Sequence, residues 1–277
     1  MNRKQIEHDI GNVIYDWAFG LPDSIPKTVF DDYIVTGGCI TSLLLGETPK
    51  DYDIYFKSTA SAYIIAKHYT ETDYPEVRVE TEEDRVTLKS KPPLHVLVDN
   101  AEVKQFKKTQ PLTVSFLSEN AITLNDKVQL ILRFTGSPRE IHKNFDFVHA
   151  TNYYTRDTGL VLNQEALTAT INKELVYIGS KYPVCALFRV HKFLSRGWKI
   201  SYGELLKISY DISQLDLSDP DVLHEQVGGL YGKRIGKVFA NRLKKIILDP
   251  EIKTKRALLF SIIDRLYHPT MTPGVYS

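Results

Sequence analysis

The sequence predicts an α+β protein, with a head built on a mixed β-sheet followed by a small all-helical domain. Three observations support this prediction. Residues 33–56 have the pattern of strand, glycine turn, short helix and acidic strand, and residues 77–133 hold short apolar or alternating runs that are typical of strands. Beyond residue 163, apolar residues recur with a helical period, which first predicts a helix over residues 163–179. We therefore predict a head over residues 1–163 and a helical domain over residues 164–277.

The N-terminal residues have the pattern of an amphipathic helix. Its apolar positions are Ile6, Ile10, Val13, Ile14, Trp17 and Phe19. A loop bounded by Pro22 and Pro26 follows. Further elements predicted in the head are a helix at residues 60–69 and strands at residues 77–80, 86–90, 95–98, 114–116 and 128–133.

The stretch from Tyr33 to Phe56 carries the chemistry. A predicted strand ends at Thr36, a Gly-Gly pair and a short apolar helix follow, and the next strand opens with Asp51-Tyr52-Asp53. Side chains alternate along a strand, so the two carboxylates leave the same face. Such a pair suits a hard divalent cation with nucleotide phosphates. Glycine lets backbone N–H groups approach phosphate closely, so the stretch predicts a phosphoryl-transfer site.

The spacing G-G-x-x-x-x-x-L-L-G-x-x-P-K-D-x-D in this stretch resembles the signature of the polymerase-beta-like nucleotidyltransferases. The similar branch holds the tRNA CCA-adding enzymes and bacterial poly(A) polymerases. Thr41 and Ser42 stand where that branch usually has Arg-Asp, which leaves nucleotide selection open. The resemblance implies an enzyme that uses ATP, CTP or both with two Mg²⁺ ions, or Mn²⁺ in their place. That family is more compact over residues 70–120, which we interpret as an insertion.

The resemblance also implies site residues. Asp51 and Asp53 would be catalytic metal ligands, and Gly37, Gly38, Ser42 and Lys50 would bind the nucleotide. Asp146 lies in a predicted apolar strand, within a segment FDFVHATNYY that is loosely similar to one following the family's catalytic core. It would be the third carboxylate or a ribose contact. A strand-edge Asp facing water is the alternative. His149, nearby, is more typical of a buried core histidine than of a base.

Residues 183–200 are similar to the neck helix of that family. Arg189 and Lys192, with Arg196, recur at helical spacing and so share one face. They would bind nucleotide or acceptor phosphates, or else form a solvated face. The family's base-reading E-D-x-x-R element is not found.

Charge is distributed unevenly. Residues 151–277 carry 18 Lys and Arg against 12 Asp and Glu, a net charge of +6, and the first 150 residues therefore carry −5. The C-terminal region contains a basic band that could follow an RNA backbone, or could be a charged helix face on water. The predicted RNA-binding residues are Lys233, Arg234, Lys237, Arg242, Lys244 and Lys245.

The composition indicates the cellular location to expect. No apolar run of membrane-spanning length and no signal-peptide pattern is found in the sequence. Cys39 and Cys185 cannot form a disulfide framework. We expect a cytoplasmic protein with no membrane contact and no disulfide partner.

The predicted activity is template-independent, metal-dependent nucleotidyl transfer from an NTP to an acceptor hydroxyl, with an RNA 3′ end such as that of tRNA as the acceptor and with release of pyrophosphate. Two alternatives stay open. One is the same chemistry on a protein or small molecule. The other is a non-catalytic RNA-binding module of the same fold.

Overall fold

The structure is a computed structural model that describes residues 2–71, 73–91, 94, 112–125 and 127–217, and also residues 219, 222, 225 and 226. The chain divides into two compact units. The first holds residues 1–180 and 193–205, and the second holds residues 181–192 and 206–277. The domain boundary that the sequence predicts after residue 163 stays a prediction.

Seven of the described strands form one mixed sheet in the order β5-β6-β7-β2-β1-β8-β9. The parallel pair is β2 with β7, and the other neighbours are antiparallel. The strands are β1 Tyr33–Thr36, β2 Tyr52–Phe56, β3 Arg78–Glu82, β4 Arg85–Lys89, β5 Val114–Ser118, β6 Ala121–Leu124, β7 Val128–Thr135, β8 Tyr153–Thr155, β9 Gly159–Val161, β10 Glu174–Leu175 and β11 Lys199–Ile200. Strands β3 and β4 form a hairpin, and β10 pairs with β11.

The described helices are short apart from the first. They are α1 Arg3–Phe19, α2 Lys27–Phe30, α3 Gly38–Leu44, α4 Thr59–Thr70, α5 Pro138–His142, α6 Gln164–Ile171, α7 Pro183–Leu194 and α8 Tyr202–Ser213, with a 3₁₀ turn at Val148–Ala150. No helix among the described residues is long and apolar enough to cross a membrane.

One face of the sheet forms the main core of the first unit. Helix α1 is capped by Asn2, whose side chain accepts a hydrogen bond from the Gln5 backbone N–H, and the apolar stripe of the helix is buried. Trp17 of that stripe packs edge-on against Phe56 of β2, with ring centroids 6.2 Å apart. Burying a large apolar side chain contributes about 1.5–3 kcal/mol, so this face provides most of the unit's hydrophobic stabilisation.

The opposite face carries a smaller apolar cluster. Ile34 of β1, Tyr55 of β2 and Ile141 of α5 are buried there together. Helix α5 is short, and a capping box closes its first turn: Ser137 and Glu140 exchange side-chain to backbone hydrogen bonds. The cluster and the cap together hold α5 over β1 and β2.

In the second unit, buried Cys185 of α7 donates its thiol to the backbone oxygen of Gln226 over 2.8 Å. The side chain of Gln226 in turn donates to the Lys181 backbone oxygen over 3.0 Å. Cys39 and Cys185 are both free thiols.

Several predicted elements are confirmed, with boundaries shifted by one or two residues. They include α1, β1, α3, β2, α4, β3, β4, β5 and β7. The neck-like helix α7 begins at Pro183 as expected, but it ends at Leu194, before residue 200. Strands β6, β8 and β9 were not predicted, because each has only three or four residues. The strand predicted at residues 95–98 lies outside the described residues.

Two predicted elements differ from the structure. The helix expected over residues 163–179 ends at Ile171, because Lys173 adopts a left-handed conformation with φ 50° and Glu174 then pairs with Lys199 in a short strand. Asp146 does not lie in a strand but in a bend before the 3₁₀ turn. The bend lets its backbone oxygen accept from the Ile178 N–H over 2.9 Å.

Candidate functional site

Polar side chains form a row across the face of the sheet that also carries the small apolar cluster. Thr36 of β1 stands opposite Asp53 of β2 on one side and Tyr153 of β8 on the other. Asp53 is in register with Gln129 of β7, which stands opposite Thr123 of β6. Residues paired in this way point to the same face of a sheet. We call these five residues the polar row.

Asp51 joins the polar row from just outside β2. Its neighbour Tyr52 is buried in the main core at 5% exposure, so Asp51 and Asp53, on either side of Tyr52, turn away from that core. The Gln129 side-chain amide donates to Asp51 Oδ2 over 3.0 Å. Gln129 therefore holds one carboxylate while standing beside the other.

Gly37 connects the polar row to helix α3. Its backbone has φ 89° and ψ −148°, a region open to glycine and strained for other residues. A Cβ built on Gly37 would lie 3.4 Å from Asp53 Oδ2. The Gly37 N–H donates to the Ala150 backbone oxygen over 3.1 Å, which fixes the turn. The glycine backbone and the carboxylate are thus direct neighbours.

The other residues predicted to bind nucleotide near this turn are more open. Gly38 is exposed, and a Cβ built on it would meet nothing within 4 Å. Ser42 is half-buried on α3, and its backbone oxygen accepts from the Glu47 N–H over 2.8 Å. Lys50 is exposed directly before Asp51. Space for a ligand is therefore found on the Gly38 side of the turn.

The donor set of the carboxylate pair fits a magnesium ion. Mg²⁺ is commonly held by one or two carboxylates, with waters and substrate phosphates completing an oxygen shell. Asp51 and Asp53 are both half-buried and flank one residue. The nearby thiol of Cys39 is not a competing soft ligand, because burial, aided by the negative charge of Asp53, raises its pKa far above the ordinary value.

Asp146 has a different hydrogen-bond partner from the carboxylate pair. Its carboxylate is buried at 6% exposure and accepts from the Ser180 hydroxyl over 2.6 Å. Within the described ranges, no three His, Cys, Asp or Glu side chains form a group that could hold a metal ion. The expected three-carboxylate group is therefore not formed by these residues, and a separate role for Asp146 stays a prediction.

The neighbouring His149 is a core residue. It is 2% exposed, and its ring lies 4.6 Å from the ring of Trp198 and 4.7 Å from that of Phe193. Its backbone oxygen accepts from the Thr41 hydroxyl over 3.0 Å. Thr41, which stands where the similar family has Arg, thus ties α3 to the 3₁₀ turn.

The predicted basic stripe on the neck-like helix is shorter than expected. Arg189 is half-buried and Lys192 is exposed on α7, and both belong to the second unit. Arg196 lies beyond the end of α7 and forms an ion pair with Glu47. The six basic residues predicted to bind RNA, from Lys233 to Lys245, lie outside the described residues.

Sequence reasoning missed three members of this region: Thr36, Gln129 and His142. The His142 Nε2 lies 2.9 Å from the Thr36 hydroxyl oxygen. The sequence feature that could have identified Gln129 is its polar side chain within the apolar strand VQLILRF. That feature does not show which strand pairs with β7.

A mixed sheet, a Gly-Gly turn at the end of β1 and two carboxylates at the start of β2 define a nucleotidyltransferase-like fold, the class that the sequence resemblance indicated. A model of the Gabija anti-defense 2 family protein matches residues 11–173, which is more than half of the chain. The chain belongs to the Gabija anti-defense 2 family.

Among curated proteins, Gabija anti-defense 2 of Bacillus phage SPbetaL7 is 23% identical over 212 residues, which cover 76% of this chain and 44% of that protein. The chain thus spans less than half the length of this relative. Among solved structures, the Thermotoga maritima CCA-adding enzyme complexed with tRNA is similar with a TM-score of 0.48 at 12% identity, covering 100% of this chain and 63% of that one. A CCA-adding enzyme complexed with ATP has a TM-score of 0.45 at 12% identity, covering 97% and 60%.

Proposed function

We propose that the chain is a metal-dependent, template-independent nucleotidyltransferase that moves an NMP from ATP or CTP to the 3′ hydroxyl of an RNA. The proposal rests on one observation. The Gly37 backbone and the Asp53 carboxylate lie so close that a Cβ on the glycine would be 3.4 Å from Oδ2. A backbone turn suited to phosphate and a carboxylate suited to its counter-ion thus meet at one point.

The chain's own residues would act mainly by positioning. Asp51 and Asp53 would hold the metal, with Asp51 kept in place by Gln129. Gly38, which is exposed, would receive the β and γ phosphates together with Ser42 and Lys50. Two Mg²⁺ ions, or Mn²⁺, would supply positive charge for the phosphates and the leaving oxygen when bound. Positioning and charge stabilisation of this kind require few acid-base groups.

The reaction balances without a further co-reactant. The acceptor oxygen forms a bond to the α-phosphorus as the bond from that phosphorus to the β-bridging oxygen breaks. Pyrophosphate carries away the electron pair of the broken bond, and the hydroxyl proton passes to water. Asp146, buried and bonded to Ser180, would support the neighbouring segment or contact ribose without joining the pair.

A second candidate is the same transfer onto a protein acceptor. It is favoured by family membership, because the relative is called an anti-defense protein and the defence component that it opposes would then be the acceptor. It is also favoured by Thr41, which replaces the arginine that the similar family uses near the nucleotide. An acceptor inside the host's Gabija defence would then take the place of RNA.

The experiment is label transfer. Purified protein is incubated with each α-³²P-labelled NTP and Mg²⁺, with total RNA, with host lysate protein or with neither, and the labelled molecule is identified on denaturing gels. We expect label on RNA from ATP or CTP. Label on a protein alone would replace the RNA acceptor with the second candidate.

The matched variants are Asp51→Ala and Asp53→Ala, with the exposed turn residue Asp84→Ala as the control. Loss of one metal ligand should cost several kcal/mol of charge stabilisation, which is at least about a hundredfold in rate. Asp84→Ala should keep the wild-type rate. Absence of transfer from every NTP, or more than half the wild-type rate in either site variant, would refute nucleotidyl transfer at this site.

A further inference from the structure

A pocket of about 480 Å³ opens beside the polar row, within the first unit. This volume lies in the range of small-molecule sites, about 300–1,000 Å³. One wall is α5 with the residue before it, and the other comes from the 3₁₀ turn region and the start of α6. The lining includes Arg139 and His142 of α5, Tyr153 of β8, and Asn163 and Glu165 at the start of α6.

Several polar groups of the lining are already engaged. The Ser137 hydroxyl donates to Glu140, and the Thr151 hydroxyl donates to the Val148 backbone oxygen while accepting from the Asn163 amide. Asn163 Oδ1 accepts from the Glu165 backbone N–H. Among the described residues, no side-chain partner is found for Arg139, for the Tyr153 hydroxyl or for the Glu165 carboxylate. These groups remain for a ligand.

His142 has a defined tautomer. The Thr36 hydroxyl has one proton, and its oxygen lies 2.8 Å from the Asn152 backbone oxygen, to which it donates. The same hydroxyl oxygen must then accept from His142 Nε2, 2.9 Å away, so Nε2 carries the ring proton. Burial lowers the pKa of His142 to about 4, so the ring is neutral at neutral pH. Nδ1 is therefore an acceptor with an available lone pair.

The pocket thus offers a specific set of contacts. Nδ1 of His142 can accept from a ligand N–H, and the Arg139 guanidinium can bind an anion. The Tyr153 ring, with Pro138, Val148 and Ile178 nearby, provides apolar surface for a flat ring. A planar ring with an N–H donor, joined to an anionic group, is the chemistry of a nucleotide.

The pocket also lies close to the carboxylate pair. Tyr153 in its lining and Asp53 are separated by one strand, β1, so their backbones are about 10 Å apart, twice the spacing of neighbouring strands. His142 is joined to the same strand through Thr36. One acceptor molecule could therefore occupy the pocket and still reach the carboxylates.

We propose that this pocket binds the terminal nucleotide of the acceptor, with the base against Tyr153 and hydrogen-bonded to His142 Nδ1 and with a phosphate on Arg139. The identification of the ligand as the acceptor rests on the nucleotidyl transfer proposed above. Binding itself requires neither the metal nor the carboxylate pair, which allows the two proposals to fail separately.

Binding is tested by equilibrium dialysis of the full chain with labelled AMP, CMP, GMP and UMP, without divalent cation. We expect saturable binding of one site per chain for at least one of them. Arg139→Gln, an exposed change, should weaken it at least fivefold, and His142→Phe at least tenfold. Lys143→Gln, adjacent to His142, exposed and outside the lining, is the matched control and should bind as wild type. Asp53→Asn should also bind as wild type.

The role as acceptor site is tested in the transfer reaction. Arg139→Gln should raise KM for RNA at least fivefold and leave KM for the NTP unchanged. A rise in KM for the NTP instead would assign the pocket to the donor and overturn the proposal, as would the binding of no nucleotide or equal binding by wild type and both pocket variants. Binding lost in Asp53→Asn but kept in the pocket variants would overturn it too. If the wild-type protein still transferred the nucleotide, any of these results would overturn the pocket proposal alone and would leave the proposed nucleotidyl transfer standing.

Discussion

At the scale of single residues, two adjacent glycines have different tasks. Gly37 needs a backbone conformation that other residues adopt only with strain, and a Cβ there would be in van der Waals contact with the Asp53 carboxylate, 3.4 Å away. Gly38 has ordinary helical geometry, and the space beside it is open. One glycine is required by the fold of the turn, and the other leaves room for a ligand.

The pair Gly37→Ala and Gly38→Ala separates these tasks. Gly37→Ala should lower the free energy of unfolding by about 1–3 kcal/mol, because the residue would be held in a strained conformation. Gly38→Ala should leave stability unchanged or slightly raised, since alanine is the better helix former, but it should weaken NTP binding by crowding the phosphates. Denaturant unfolding and a nucleotide-binding titration measure the two effects. Equal stability of the two variants would contradict the assignment of the strained position to Gly37.

At the scale of elements, α5 is attached to the sheet by its last residue. The capping box at Ser137 closes one end of the helix, and His142 at the other end bonds to Thr36 of β1. The rings of Phe145 and Tyr153 lie within 6 Å of the His142 ring, at 5.1 and 5.9 Å between centroids. A protonated imidazole is disfavoured in these surroundings.

This attachment predicts a pH dependence of stability. The pKa of His142 is lowered by burial to about 4, from 6.5 in the unfolded chain. Between these two pH values the unfolded state binds more protons than the folded state, so the free energy of unfolding rises with pH. The contribution of the neutral His142 is fully present above pH 6.5 and is lost as the pH falls to about 4. This contribution is about 2 kcal/mol, after allowing for the part of the ring that reaches solvent.

The comparison is His142→Gln, whose amide can still donate to Thr36, with the exposed His8→Gln as the control. Unfolding free energies are measured from pH 4 to 7. The charged residues around His142 are Arg139 and Glu140 on α5, Lys143 directly after the helix and Glu165 across the pocket. The two carboxylates would favour the protonated ring and the two cations would oppose it. If the unfolding free energy of His142→Gln changed with pH as steeply as that of the wild type, the assignment of a neutral, buried imidazole to His142 would be wrong.

At the scale of the whole molecule, the charge is divided along the chain. The net charge is −5 over the first 150 residues, which contain the proposed metal site, and +6 over the rest. If the six basic residues between Lys233 and Lys245 contact an RNA backbone, affinity should fall steeply with salt. Each contact on a single strand contributes roughly 0.7 log units per log unit of salt.

The test variant combines Lys237→Gln, Lys244→Gln and Lys245→Gln. Its salt slope for a tRNA pool in filter binding should be flatter by about two log units per log unit of salt, because three contacts are lost. The matched control is an equal change of charge on exposed lysines of the first unit, made with Lys4→Gln, Lys27→Gln and Lys143→Gln. Equal salt slopes for the two triple variants would show that this band does not contact RNA. NTP binding should be unchanged in both variants.

Local features of the sequence determined much of this protein. The period-two pattern around Tyr52 put Asp51 and Asp53 on one side, and the Gly-Gly pair marked a turn that only glycine could form, because both depend on the conformation of a few adjacent residues. The amphipathic spacing of α1 likewise specified its buried stripe, from Ile6 to Trp17.

The partners of those residues were decided only by the tertiary structure. Gln129 bonds to Asp51 across a separation of 78 residues, and His142 bonds to Thr36 across 106. The first contact depends on which strands pair and in which register, since a shift of one residue would turn Gln129 to the other face of the sheet. The second contact depends on how helix α5 packs over β1. The hydrogen bond of Ser180 to the buried Asp146 likewise joins residues 34 positions apart, in this case through a bend and not through a strand. Register follows from the packing of the whole sheet, so no short stretch of sequence contains it.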